Sequence, residues 1–327
     1  MRYRISAGLL AVFAFVMGSA AAQAQQYPNR PIRIFVGFGP GAGVDSIARL
    51  YGRHLQQELN VPVVVENRPG AFQLLAIRPV LGAAPDGYTL FTASASSLIT
   101  TPSIRSDLGY DPLRDFSPVA MLVKSQAVLT VSPDFPGATL EDLIGYARAN
   151  PGRVNFASAG IGAANHVLFE LLMRATDVAM VHVPFRSDPE AVIGISTGTV
   201  QTGMLIAQTA VPFVRDGRLR ALAVTGSRRA PFLPEVPSFG ESENPMLRGV
   251  DAYTFGAIVG PSGMPPEIVR TLNATLNRIS ARPEVIAEVT GTLFSDPPVM
   301  WSPDEFRQYL DAELAKWRDI GRGIRIN

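Results

Sequence analysis

Apolar positions along the chain follow two alternating spacings, one typical of buried strands and the other of amphipathic helices. Residues 32–38 form a short apolar run of the kind found in a buried strand. The next apolar positions recur at helical spacing, at Val44, Ile47, Ala48, Tyr51, Leu55 and Leu59. Because this alternation continues through most of the chain, it predicts an α/β fold with a mostly parallel sheet and crossover helices.

The alternation restarts near the middle of the chain, which predicts two domains, as the length also favours. Further strands are predicted at 61–66, 87–94, 127–132, 153–158, 180–185, 219–226 and 254–261, with those at 180–185 and 219–226 buried. Further helices are predicted at 140–149, 165–175 and 190–195, and two amphipathic helices close the chain, one lined by Leu272, Leu276 and Ile279 and the other by Phe306, Leu310, Leu314 and Trp317. Thr139 and Asp142 have the spacing of a helix-capping pair.

The first 24 residues have the order of features found in export signals. Arg2 and Arg4 precede an apolar run at 7–17, and Ala22-Gln23-Ala24 follows as a small-residue cleavage pattern. An N-terminal membrane anchor is the alternative, but the run is much shorter than the roughly 20 apolar residues that a spanning helix needs. We therefore expect residues 1–24 to be a cleavable signal peptide and the mature protein to be periplasmic.

Charge and cysteine content exclude several classes of function. Removing residues 1–24 changes the formal net charge from +1 to −1, because that segment holds two arginines and no acidic residue. A near-neutral chain without a basic run gives no support for binding to nucleic acid or anionic lipid. The chain has no cysteine, which excludes disulfides and lipid attachment through an N-terminal cysteine.

One local pattern, a strand followed by a glycine-rich turn and a helix N-terminus, occurs twice. We call residues 38–45 the first loop and residues 158–166 the second loop. Ligands of open α/β sheets lie beyond the carboxyl ends of the strands, where helix N-termini offer unpaired N–H groups that favour anions. Two such loops on opposite sides of a cleft would grip a small anion between them.

Two other interpretations of the first loop are open. Gly37-x-Gly39-x-x-Ala42 matches the dinucleotide-binding fingerprint, and Glu66 follows near the position of a ribose-binding acid. Against this, Pro40 removes an amide donor from the loop, and no partner for hydride transfer follows. A plain turn that only joins strand to helix is the second alternative.

The chain shows no motif for catalysis or metal binding. It lacks a Gly-x-Ser-x-Gly elbow, and the spacing of His54, His166 and His182 does not resemble a metal site. His166 opens a predicted helix, where it either touches a ligand or forms local hydrogen bonds, whereas His182 fits a core role. Asp45 lies in the first turn of its helix, where an acid offsets the dipole and caps amides; ligand contact is the alternative.

The order and spacing of several short motifs resemble the solute receptors of tripartite tricarboxylate transporters, also called Bug-type proteins. The matching segments cover nearly the whole mature chain and are YPNRPIRIFVGFGPGAGVDSIAR, VVVENRPGA, AAPDGYTL, YDPLRDFSPVAML, NPGRVNFASAGIGAANH, HVPF, DGRLRALAVTG, LPEVPSF, GPSGMPPEIVRTLN and SPDEFRQYLDAELAKW. The resemblance implies a type II-like periplasmic binding protein, with two α/β domains joined by hinge strands and closing on a small organic carboxylate. It implies delivery to a two-subunit membrane permease, with no cofactor and no enzymatic activity.

The resemblance also implies that the first loop, the turn at 94–97 and the second loop hold the ligand. We expect amides from Gly41, Ala42 and Gly43 and from the second loop, hydroxyls from the serine turn, and aromatic walls. The predicted ligand-binding residues are Phe38, Gly41, Ala42, Gly43, Asp45, Ser94, Ser96, Ser158, Gly162, Ala163, Asn165, His166, Phe185, Arg186 and Leu205.

The chain departs from the family pattern at three places. After ENRPGA, glycines and small residues are usual, but this chain continues with FQLLAIRP, residues 72–79. Ser187 stands where glycine is usual, and Leu205 stands where an acid often lies near the cleft. Because an ammonium group then has fewer partners, we expect an acid without an amino group.

We expect residues 25–124 and 253–327 to form domain 1 and residues 125–252 to form domain 2, in a monomer. Two alternative functions are a periplasmic enzyme acting on a carboxylated substrate and a ligand sensor for a membrane kinase.

Overall fold

The structure is a computed structural model that describes residues 27–322. The predicted signal peptide, residues 1–24, lies outside the described residues. The strands are β1 Ile32–Val36, β2 Val63–Asn67, β3 Thr89–Ser94, β4 Phe116–Val131, β5 Asn155–Ser158, β6 Val181–Pro184, β7 Thr202–Ile206, β8 Arg220–Val224 and β9 Tyr253–Pro261. The helices are α1 Gly43–Leu59, α2 Leu74–Leu81, α3 Thr101–Ile104, α4 Leu140–Ala149, α5 Ala164–Thr176, α6 Asp188–Ser196, α7 Ala207–Arg215, α8 Pro245–Arg248, α9 Pro266–Ser280, α10 Pro283–Gly291 and α11 Pro303–Gly321.

Within residues 27–322, the strands form one sheet in the order β2-β1-β3-β9-β4-β7-β5-β6, and β8 pairs with β4. β1 is parallel to β2 and β3, and β5 is parallel to β6 and β7. β4 and β9 run antiparallel to every neighbour. The expectation of a mostly parallel sheet is therefore wrong for the whole sheet, because these two strands run through its middle.

We call β1–β3, β9 and the helices packed on them the first lobe, and β5–β8 with their helices the second lobe. β4 belongs to both, since residues 116–126 pair with β9 and residues 127–131 pair with β7 and β8. The sequence predicted a strand only at 127–132, because Pro118 and Lys124 interrupt the apolar pattern upstream. Register shifts after Pro118 and Met121 accommodate this irregular stretch. The predicted domain boundaries lie next to these crossings and stay a prediction.

Sequence patterning missed six elements, the strand β7 and the helices α2, α3, α7, α8 and α10, and misjudged the burial of β6. β7 carries Thr202 and Gly203, which shorten its apolar run, and α10 is only nine residues long. The strand predicted to be buried at 180–185 is β6, which lies at the edge of the sheet, and Val181 is 43% exposed. That prediction of burial is wrong, because an edge strand has a neighbour on one side only.

Local signals for helix ends were more reliable. The Thr139 hydroxyl accepts a hydrogen bond from the Asp142 amide at 3.1 Å, and the Asp142 carboxylate accepts from the Thr139 amide at 3.0 Å. The predicted capping pair at the start of α4 is thus confirmed. In the first lobe, the buried Tyr51 hydroxyl lies 2.9 Å from the Ser280 hydroxyl and ties α1 to α9. None of the described helices has the length and apolar character needed to span a bilayer.

Candidate functional site

The two lobes contact each other on both sides of the cleft. The Thr101 hydroxyl donates to the Gly162 carbonyl at 2.8 Å, and the Ser96 hydroxyl accepts from the Ala164 amide at 2.9 Å. Elsewhere along the cleft, the Gln208 amide donates to the Ser46 hydroxyl at 2.8 Å. Each bond joins a first-lobe residue to a second-lobe residue, so the structure is in a closed conformation.

The closed cleft contains two neighbouring cavities that share part of their lining. The inner compartment, about 80 Å³, is bounded by the start of α1, the serine turn after β3, the crossing strands and the starts of α5, α6 and α7. The outer compartment, about 490 Å³, lies between the second loop and residues 69–73. Both cavities are lined by Phe38, Ser96, Ala159 and Ala163. A ligand could therefore have one end in each compartment.

The first loop leaves two amide donors facing the inner compartment. α1 begins at Gly43 after an extended Ala42, and no side chain caps it. Among the described residues, the amides of Gly43 and Val44 have no acceptor, and both residues line the inner compartment. The amides of Gly41 and Ala42, which the sequence also assigned to the ligand, already donate to the Asp45 carboxylate and the Gly39 carbonyl.

Asp45 holds the first loop in place. Its carboxylate is buried and accepts from the Gly41 amide at 2.9 Å, the Arg49 guanidinium at 3.0 Å and the Asn67 amide at 2.8 Å. Burial opposes ionisation, but the hydrogen bonds from Arg49, Gly41 and Asn67 together hold the pKa of Asp45 below its usual value. The capping interpretation therefore describes its contacts, while ligand contact stays a prediction.

The second loop uses most of its amides within the protein; among the described residues, only those of Ile161 and Asn165 in this loop have no acceptor. The Gly162 amide donates to His166 Nδ1 at 3.1 Å, and the Ala163 amide donates to the Gly160 carbonyl at 3.2 Å. The Ala164 amide is capped by Ser96, as described above, and the Ala159 amide donates to Asn165 Oδ1 at 3.3 Å. The expected amide donors at Gly162 and Ala163 are therefore occupied, one by the His166 side chain and the other by the Gly160 carbonyl within the turn.

A stack of rings supports the second loop from behind. The His166 and His182 rings stack with centroids 3.7 Å apart, and Phe156 packs on His182 at 4.9 Å. His182 Nε2 lies 2.6 Å from the hydroxyl of Ser158, which is fully buried. Burial, aided by the adjacent His166, lowers the pKa of His182 to about 4. Neither Ser158 nor His166 lines a compartment; both shape the loop.

The serine turn after β3 does reach the cavity. Ser94 and Ser96 both line the inner compartment, and Ser97 folds back to hydrogen-bond with Ser94. Leu205 does not: its side chain is fully buried in the second-lobe core, while Ile206 faces the compartment. Neighbouring strand residues point to opposite faces, so the placement of Leu205 at the cleft was one residue out of register.

The sequence missed Asp188, which lines the inner compartment at the first position of α6. It is 7% exposed, its carboxylate accepts from Asn165 Nδ2 at 3.0 Å and from the Ile206 amide, and burial raises its pKa to about 7. Ser187 caps this helix, and Pro189 follows at its start. That Ser-Asp-Pro sequence is a helix-start signal that would have located Asp188, but the predicted helix began at Glu190.

The outer compartment has aromatic walls and an unusual turn. Phe38, Phe72 and Phe185 line it, with Arg186 exposed at its mouth. Ala71, Phe72 and Gln73 have left-handed backbone φ values of 47°, 54° and 69°. Left-handed residues other than glycine cost roughly 1–2 kcal/mol each, so packing must hold this turn. The Phe72 ring lies against Gly162 of the other lobe, and the Arg105 guanidinium stacks over it at 4.5 Å.

No group of histidine and acidic side chains in the described part of the chain has an arrangement that could hold a metal ion. The chemistry that the cleft offers is neutral hydrogen bonding, from helix amides that have no acceptor and from several hydroxyls, together with one buried carboxyl group. Such a site can bind a small polar molecule without reacting with it.

Several known proteins are similar to this chain in sequence and in fold. The chain matches the model for the tripartite tricarboxylate transporter family receptor over residues 47–325. It is 32% identical to the protein BugT of Bordetella pertussis, over 96% of this chain and 95% of that protein. A solved periplasmic transporter is 30% identical, covering 92% of this chain and 99% of its own, with a TM-score of 0.85.

Two similar structures contain carboxylates. A Rhodopseudomonas palustris protein with adipate is 27% identical over 90% of this chain and 97% of its own, with a TM-score of 0.84. MatC of the same organism, with bound malate, is 29% identical over 90% of this chain and 100% of its own, with a TM-score of 0.84. The expected fold, a periplasmic binding protein with two α/β domains, is thereby confirmed, and so is the expectation of a solute receptor instead of an enzyme.

Proposed function

Because the chain belongs to the receptor family of tripartite tricarboxylate transporters, we propose that it captures a small organic carboxylate between its lobes and delivers it to a two-subunit membrane permease. The protein acts as a periplasmic monomer after cleavage of residues 1–24. Domain 1 comprises residues 25–124 and 253–327, and domain 2 comprises residues 125–252.

The observation that carries this proposal is the pair of free amides at the start of α1. Gly43 and Val44 present N–H groups to the inner compartment, and no side chain caps them. A helix N-terminus carries about half a positive charge, which favours a bound anion, and a carboxylate has one oxygen for each amide. The hydroxyls of Ser94 and Ser96 supply further donors. The adipate and malate in the related structures are ligands of this chemical class.

Closure of the lobes follows from the same geometry. The Ser96 hydroxyl bonds the Ala164 amide only while the lobes are together. A ligand that bonds the α1 amides and the walls of both lobes adds to this contact and favours the closed conformation. The free energy of ligand binding thus stabilises the closed conformation, and the permease recognises the surface of that conformation.

Calorimetric titration of the mature protein with a panel of mono- and dicarboxylates tests the proposal. We expect at least one acid to bind with a dissociation constant in the micromolar range or below. Saturation at 100 times that constant stabilises the protein by about 2.7 kcal/mol in a thermal unfolding scan. A panel in which no carboxylate binds would show that the proposal is wrong.

Val44→Pro tests the role of the α1 amides. Proline removes one N–H in the first helical turn, where it is tolerated because that N–H has no partner within the helix. We expect the affinity for the best acid of the panel to fall roughly tenfold, as for one hydrogen bond to a charged group. Val44→Ala keeps the amide and serves as the matched control. Equal affinities of the two variants would contradict amide recognition.

A further inference from the structure

Asp188 is a buried acid in a cavity otherwise lined by neutral groups. Within the described residues, no other titratable side chain and no cationic side chain lines the inner compartment. Asp188 is on the second lobe, at the first position of α6. Nothing in the proposed grip on a carboxylate uses it, and a second negative charge in the same small cavity would oppose that grip.

The groups around Asp188 are arranged to hold its ionised form. The Asn165 side-chain amide and the Ile206 backbone amide both donate to its carboxylate. The N-terminus of α6, where the residue lies, also favours negative charge. Only burial opposes ionisation, and it raises the pKa to about 7. Burial removes the water that would hydrate the ionised carboxylate, and within residues 27–322 no cationic partner replaces that water.

We propose that Asp188 binds an ammonium group of the ligand, so that this receptor takes carboxylates that carry an amino group. The inference rests on the proposed function, in which the ligand carboxylate lies at the α1 amides. Ile206 connects the two ends: its amide donates to Asp188, and its side chain packs against Gly43. A zwitterion in the inner compartment then satisfies both charged ends of the cavity.

This assignment reverses the expectation that amino groups are disfavoured. That expectation followed from Leu205, which stands where an acid is often found. The structure buries Leu205 in the core and supplies an acid from a different element, the start of α6. An acid therefore faces the cavity, although it comes from a different sequence position than expected.

Ligands without an amino group would need the opposite protonation state. A second ligand carboxylate next to Asp188 would bind only if Asp188 were neutral and donated its proton. The two cases have opposite dependence on pH. Around the compartment, the first turns of the helices also carry Asp45 on α1, His166 on α5 and Glu190 on α6. Burial opposes ionisation of Asp45, but hydrogen bonds from Arg49, Gly41 and Asn67 hold its pKa below the usual value.

Calorimetry with matched pairs of acids tests the proposal. The pairs are alanine and propanoate, aspartate and succinate, and 4-aminobutanoate and butanoate. We expect at least one amino acid to bind roughly 10 to 100 times more tightly than its partner, the range for a hydrogen bond to a charged group. Asp188→Asn should abolish that difference, while Glu190→Gln, which neutralises an exposed acid in the same helical turn, should retain it.

The pH profile provides an independent measurement. Affinity for the preferred amino acid should fall roughly 100-fold between pH 8 and pH 5, because protons compete for a carboxylate with a pKa about two units above the lower limit. In Asp188→Asn the profile should be nearly flat. The unliganded variant should unfold at an equal or higher temperature, which shows that it is folded.

Three results would overturn the inference. If, in every pair, the acid without an amino group binds as tightly as its amino partner, the inference is wrong and the proposed function stands. Affinity that rises towards low pH would assign Asp188 to a ligand carboxylate. If no acid of either kind binds, the proposed function is wrong and the inference falls with it.

Discussion

The two glycine-rich loops have the same sequence pattern but differ in which of their backbone amides lack a hydrogen-bond acceptor. In the first loop, Asp45 takes the Gly41 amide and leaves Gly43 and Val44 open to the cavity. In the second loop, His166 takes the Gly162 amide and Ser96 of the opposite lobe takes the Ala164 amide. Among the residues that the structure describes, the first helical amide is therefore free in the first loop and occupied in the second.

A helix N-terminus can bind an anion through its backbone amides only where those amides have no other acceptor. Both helices have an extended residue, Ala42 or Ala163, before their first turn, and neither is capped by its own N-cap side chain. Asp45 and His166 fold back to equivalent amides, those of Gly41 and Gly162, so these two side chains do not distinguish the loops. The difference comes from Ser96 of the opposite lobe, whose hydroxyl accepts from the first helical amide of the second loop, that of Ala164. We therefore assign the carboxylate to the first loop and assign the second loop to closure.

The largest expected effect comes from blocking closure without touching the amides. In Gly43→Val, the new Cβ would lie 2.5 Å from Ile206 Cδ1 in the closed structure, whereas the amide stays in place. Overpacking costs about 1–3 kcal/mol, so the affinity for the best acid should fall by up to roughly 100-fold. Thermal stability without ligand should change little, because the open lobes avoid the clash.

The double variant Gly43→Val with Ile206→Ala is the control for that experiment, since it removes the group that the valine meets. Calorimetry should show most of the affinity restored. If the double variant binds the acid as weakly as the single variant does, closure of the lobes at this point does not support binding.

A smaller effect is expected from the acid that braces the first loop. Asp45→Asn replaces hydrogen bonds from Arg49, Gly41 and Asn67 to a charged acceptor, and should reduce the free energy of unfolding by about 2 kcal/mol at pH 7. Because the pKa of Asp45 is lowered in the folded state, its contribution is present above the unfolded pKa near 4 and is lost as pH falls through the folded value. Urea denaturation at pH 7 and pH 3 measures this, and an unchanged pH dependence in the variant would contradict it.

The smallest effect concerns the ring stack behind the second loop. The pKa of His182 is about 4 when folded and near 6.5 when unfolded, so the unfolded state binds more protons between these values. His182 therefore costs stability as pH falls from 6.5 to 4, by about 1 kcal/mol after allowing for its partial exposure. His182→Gln should flatten this part of the stability profile in urea denaturation. A slope equal to that of the original protein would assign the effect to other groups.

Asp188 acts on the same pH range in the opposite direction. Its folded pKa of about 7 lies above the usual value for aspartate, so it stabilises the fold at low pH and this contribution is lost as pH rises through 7. The pH dependence of the unfolding free energy should therefore be compared between His182→Gln and Asp188→Asn. In the original protein the contributions of His182 and Asp188 to this dependence have opposite signs and partly cancel.

The sequence predicted the fold more completely than the site. Alternating strand and helix patterns placed most elements within a few residues, and the capping pair at Thr139 and Asp142 was found from spacing alone. Both loops and the serine turn lie at the cleft, as expected. Failures occurred where local pattern conflicts with tertiary position: β4 is longer than its apolar run, β6 lies at an edge, and Leu205 faces the core instead of the cavity.

What the sequence determined by itself is the set of local structures and the presence of two helix N-termini after glycine turns, because turns, caps and apolar spacing act over a few neighbouring residues. Only the tertiary structure decided which amides remain free and which acid faces the ligand. Ser96 reaches α5 across 68 positions of sequence, and Asp188 meets Asn165 across 23. Hydrogen bonds between distant residues depend on how the lobes pack, and no short pattern in the chain encodes them.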